Sequence, residues 1–184
     1  MSESNVESAP GAERLRQILE ALLFASDNPL SPARAAQILG SGQDARSARK
    51  LADELNAEYA CQKRAFEIVE IAGGLQLMTR PEFKDHIARL LKDRRPEKLS
   101  PSAVETLAIV AYRQPILRAQ VDDIRGVQTG PLLRSLLERG LIKIVGRQNV
   151  PGRPILYGTS RLFLEQFQLR SLKDLPRVAE LTPP

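Results

Sequence analysis

The chain has 184 residues, 42% hydrophobic and 27% charged, with a net charge of +5 and no tryptophan. That length accommodates one large or two small domains around an aliphatic core. Cys61 is the only cysteine, which excludes an intramolecular disulfide, and the longest wholly apolar run, Leu107 to Tyr112, is far short of a membrane span.

The polar start, MSESNVESAPGA, lacks the apolar region of a signal peptide. A cytoplasmic protein is expected, with residues 1–12 as a disordered tail. A first helix follows from Arg14, with Leu15, Ile18, Leu19 and Leu22 on one face. Asn28-Pro29 ends it, because the residue before proline is pushed out of the helical region. Ser31-Pro32 opens a second helix as cap and first helical residue, and Gly40 closes it. A third runs from Asp44 to Ala60, with Ala48, Leu51, Ala52, Leu55 and Tyr59 in register. Phe66 to Ile71 alternates as a strand, Gly73-Gly74 turns, and Leu75 to Thr79 returns. Pro81 starts a further helix.

The charged stretch KDRRPEKL reads as a linker. Ser100-Pro101 repeats the cap-and-proline opening, for a helix to Arg113. A short helix from Arg118 to Arg125 comes next. Leu132, Leu133, Leu136 and Leu137 then recur at helical spacing until Gly140. A β-branched run at Ile142 to Val145 and a second run at Ile155 to Tyr157 flank a loop with Pro151, Gly152 and Pro154. Leu162, Phe163 and Phe167 mark a last helix.

The halves share one order: three helices, a hairpin and a trailing helix. Ala21 to Gly40 aligns without gaps on Leu107 to Gly126, placing Pro29 on Pro115, Ile38 on Ile124 and Gly40 on Gly126. The expected fold is mainly α with small β-wings, an α+β chain of two tandem winged-helix domains. The boundaries are residues 13–93 for the first domain, 94–99 for the linker, 100–176 for the second domain and 177–184 for a flexible tail.

Charge is uneven. Residues 1–95 hold 14 basic and 14 acidic side chains, whereas residues 96–184 hold 13 and 8. Arg147 and Arg153 flank the second hairpin loop and are candidate phosphate contacts. The competing reading has Arg153 folding back to hydrogen-bond loop carbonyls.

No catalytic set stands out. His86 is the only histidine, there is no GxxxxGK[ST] loop, and Ser47 to Lys50 matches SxxK without an accompanying SDN or KTG. No enzyme, cofactor or metal is expected. A winged helix used as a transcriptional regulator is the alternative. Its reading helix, GPLLRSLLER, offers no Asn or Gln to base edges, so DNA contact is expected to be weak and non-specific at most.

The stretches ETLAIVAYRQPILRAQV, DIRGV, LLRSLLERGLIKIVGR, VPGRPILYGT, FLEQF and SLKDLP closely resemble the bacterial segregation and condensation protein B (ScpB) family. The first half is similar through LEALLFASDNPLS, FEIVEIAGGLQLMT and RPEF. The GlnThrGlyPro run at 128–131 departs from the pattern and leaves the start of the leucine helix open. The resemblance implies a non-catalytic subunit of a condensin-like SMC complex acting in chromosome condensation and partition. It implies a homodimer formed through the first domain, binding to the kleisin ScpA, and reach to the SMC ATPase heads through that kleisin. A nucleoid-associated protein of the cytoplasm follows from that role.

Helical phase assigns Val104, Leu107, Ala108 and Ala111 to the inner stripe of the helix from Pro101. Ile109 and Val110, with Leu162 and Leu164, are then candidate kleisin contacts, and their repeat equivalents Leu23 and Phe24 are candidate dimer contacts. The competing reading is a helix enclosed by its neighbours.

Overall fold

The computed structural model describes residues 11–91 and 98–177. The expected linker and both tails fall largely outside them. The chain divides between residues 93 and 94 into two compact units.

The first unit begins with α1, Ala12–Phe24, which buries Leu15, Leu19 and Leu23 at four-residue spacing. In α2, Pro32–Leu39, the Ser31 side chain accepts from the N–H of Arg34 at 3.3 Å. Helix α3, Ala45–Cys61, opens on a reciprocal cap. The N–H of Ser47 donates to Asp44 Oδ1, and the N–H of Asp44 donates to Ser47 Oγ, both at 2.7 Å. Together the helices enclose Leu19, Ala35, Leu39, Leu51 and Leu55. Each fully buried leucine stabilises by about 1.5–3 kcal/mol.

Strands β1, Phe66–Ile71, and β2, Gly74–Thr79, form an antiparallel hairpin. The turn residues are Ala72 and Gly73, both at positive φ, rather than the expected Gly73 and Gly74. Gly74 serves a different need. A Cβ there would come within 2.8 Å of Pro29. That close approach lets Leu30 and Leu75 exchange two backbone hydrogen bonds of 2.8 Å, tying the hairpin to the loop between α1 and α2. A 3-10 turn, Pro81–Phe83, leads into α4, Lys84–Leu90.

The second unit repeats this order with one addition. Helix α5 is Pro101–Arg113, capped by Ser100. Next comes β3, Ile116–Leu117, a two-residue strand that the sequence pattern does not signal. Helices α6, Arg118–Arg125, and α7, Gly130–Glu138, follow. Strands β4, Ile142–Arg147, and β5, Ile155–Thr159, complete an antiparallel sheet in the order β3-β5-β4. Helix α8, Arg161–Gln166, is shorter than expected, with Phe167 as its C-cap. Leu107, Val110, Val121, Leu133, Leu136, Leu141, Ile142 and Phe163 lie in the core.

Packing corrects the inner stripe of α5. The buried residues are Ala103, Thr106, Leu107, Val110 and Ala111, while Val104 is 45% exposed. Thr106 tolerates burial because its hydroxyl donates to the Ser102 carbonyl at 2.8 Å. The gapless repeat alignment therefore fails within the first helix of each unit. Leu15, Leu19 and Leu23 share the packing phase of Ala103, Leu107 and Ala111. Leu23 thus corresponds to Ala111, not to Ile109.

Candidate partner-binding surfaces

The described residues hold no group of three or more His, Cys, Asp or Glu able to take a metal, and none of their helices is long and apolar enough to cross a membrane. His86 and Cys61 are exposed. The prominent surface features are apolar patches and a basic hairpin loop.

On the first unit, Phe24 ends α1 with 81% of its surface exposed. It lines a groove of about 490 Å³ with Ala21, Phe66, Leu77, Met78, Gln17 and Glu20. One wall is held by Tyr59, whose hydroxyl donates to Glu20 Oε1 at 2.8 Å and whose ring meets Phe66 edge-on at 4.9 Å. Burial first, then that hydrogen bond, pushes the Tyr59 pKa up. The Phe24 ring and the groove beside it form one exposed apolar patch. Leu23, expected beside it as a contact, is only 2% exposed and belongs to the core. Its side chain cannot reach a second molecule without opening the helix layer.

On the second unit, Leu162 is 45% exposed, while its neighbour Phe163 is buried. Ile109 and Leu164 are half-buried and pack on the core. Val110 is fully buried, so its place among the candidate contacts is corrected. The cause is the stripe phase: with Thr106 inside, Val110 points inward one turn later. Exposed Val104 takes the outward position. Ile38 on α2 and Ile124 on α6, aligned by the repeat, are both exposed, at 44% and 53%. Their matching positions were the signal that could have singled them out.

The start of α7 is well defined despite its unusual residues. Asp122 Oδ1 accepts from both the N–H and the hydroxyl of buried Thr129, each at 2.6 Å. Arg118 pairs with the same carboxylate at 3.3 Å. A Cβ on Gly130 would lie 3.1 Å from the Arg118 guanidinium. Asp122 thus clamps the turn before α7.

In the hairpin loop, Arg147 Nη1 donates to the carbonyl of Arg153 at 3.2 Å. Arginine does fold back, but it is Arg147 that does so, and Arg153 supplies the acceptor. Arg153 has φ of 40°, just after Gly152 at 84°. Both arginines remain exposed.

Together these features define a two-unit, mainly helical protein with small antiparallel sheets and exposed apolar side chains on each unit. The chain belongs to the ScpB family: residues 17–178 match the family described as segregation and condensation complex subunit ScpB. Segregation and condensation protein B of Syntrophotalea carbinolica is 49% identical over 168 residues, covering 91% of this chain and 84% of that protein. The crystal structure of ScpB from Mycobacterium tuberculosis is 32% identical, covers 87% of this chain and 98% of its own, and has a TM-score of 0.42. A crystal structure of a dimer of the ScpB N-terminal domain complexed with ScpA peptide is 28% identical over 44% of this chain and 99% of that one, with a TM-score of 0.39.

Proposed function

We propose that the chain is a non-catalytic subunit of a condensin-like complex, acting in chromosome condensation and partition by binding the kleisin ScpA, which bridges SMC ATPase heads. In this reading residues 13–93 and 100–176 are tandem winged-helix domains. The first makes the homodimer, and kleisin binding runs chiefly through the second. The family match over residues 17–178 carries the proposal.

Surface chemistry supports the division of roles. Phe24 and its groove offer an apolar anchor of the kind that dominates interfaces. Leu162, with half-buried Ile109 and Leu164 behind it, offers a smaller apolar face on the second domain. Contact with DNA is weak and non-specific in this account, confined to phosphates near Arg147 and Arg153, and the protein works at the nucleoid in the cytoplasm. The transcriptional-regulator alternative is disfavoured by α7, whose residues offer no Asn or Gln to base edges. Light scattering of the full chain with and without the kleisin tests the proposal: a dimer that co-migrates with the kleisin is expected.

A further inference from the structure

The second unit has a cleft that the proposed dimer and kleisin faces do not use. Two adjoining cavities of about 430 and 460 Å³ share Arg118 and Tyr157. Arg134, Leu137 and Glu138 line the first; Arg147, Arg153 and Ile155 line the second. We propose that this cleft binds an extended, acidic segment of a protein partner that carries apolar side chains between its carboxylates.

Charge argues for an anion. Four arginines line the cleft against a single lining acid, Glu138, and with Arg118 paired to Asp122 the balance stays positive through Arg134, Arg147 and Arg153. Guanidinium forks match carboxylates in a bidentate way. Two of the four are partly oriented in advance. Arg118 is set by Asp122 and by its place beside Gly130, and Arg147 by the Arg153 carbonyl. Less ordering entropy is then lost on binding.

Apolar lining decides between a peptide and a nucleic acid. Leu137, Ile155 and the Tyr157 ring would stay uncovered beneath a bare phosphodiester chain. Arginine and tyrosine around an apolar lining is the composition enriched in protein–protein hot spots. The inference does not depend on the kleisin assignment, because the cleft lies on α6, α7, β5 and the hairpin loop rather than on α5 and α8.

Fluorescence anisotropy on the full chain tests it. The probe is a labelled peptide alternating glutamate and leucine, compared with its lysine–leucine counterpart and with labelled oligothymidylate. Saturable binding is expected of the glutamate peptide and not of the lysine peptide, with oligothymidylate binding more weakly than the glutamate peptide. R134A and R153A should each weaken it by about threefold to tenfold, and together by more, with circular dichroism unchanged. The proposal is overturned if the glutamate peptide shows no saturable binding, if the lysine peptide binds equally, or if the arginine substitutions have no effect. Tighter binding of oligothymidylate with the same arginine dependence would overturn it too, by making the cleft a nucleic-acid site.

Discussion

Gln114 and Thr159 hold each other through two hydrogen bonds: the N–H of Thr159 donates to Gln114 Oε1 at 2.8 Å, and Gln114 Nε2 donates to Thr159 Oγ1 at 2.9 Å. The pair joins the end of α5 to the end of β5. Asn56 makes the corresponding tie in the first unit, exchanging two 2.8 Å hydrogen bonds with the backbone of Ile68 on β1. In each unit a side-chain amide thus helps fasten the hairpin to the helices.

Removing either amide strands a buried backbone group. Thr159 is 7% exposed, so its N–H cannot turn to water. Gln114→Ala should cost about 1–3 kcal/mol, and Asn56→Ala a similar amount. Urea unfolding checks this, with an unchanged midpoint as the contrary result.

Core and surface positions should separate cleanly. Leu23→Ala removes a buried leucine and should destabilise by about 2–5 kcal/mol. Phe24→Ser and Leu162→Ser change exposed side chains and should leave stability within about 0.5 kcal/mol while reducing association. Thermal melts paired with light scattering distinguish the two classes. Equal loss of stability at all three positions would contradict the burial assignments.

Asp122 makes the second unit sensitive to acid. Its carboxyl lies below the usual range, chiefly because the Thr129 hydroxyl donates to it, then because the Thr129 N–H does, with Arg118 adding to both and desolvation opposing. A depressed folded-state pKa gives stability that is present above the unfolded value of about 4 and is lost as pH falls through the folded one. Asp122→Asn should therefore lower stability at neutral pH and flatten its decline below about pH 4. Parallel acid profiles for the variant and the parent chain would show that the clamp does not titrate.

Much of the architecture could be read from local chemistry. Ser31-Pro32 and Ser100-Pro101 open helices because a hydroxyl cap and a missing N–H both suit a first turn. The second helix of each unit stops where Gly40 or Gly126 takes a positive φ. Strand β3 escaped because two residues carry no alternation. The face of α5 was misread because Thr106 looks polar, yet it hides its hydroxyl on its own helix. That false phase sets Val110 outward, and the gapless repeat alignment, which places Leu23 on Ile109 rather than on Ala111, sets Leu23 outward as well. Arg118, Arg134 and Tyr157 were not read as one site because they come from different elements and meet only in the folded unit.

The most direct measurement is size-exclusion chromatography with light scattering on the full chain and on Phe24→Asp, each with and without the kleisin ScpA. The account predicts a dimer for the parent chain, a folded monomer for Phe24→Asp, and co-migration of the parent dimer with the kleisin. A parent chain that stays monomeric at micromolar concentration, or a dimer that ignores the kleisin, would contradict it.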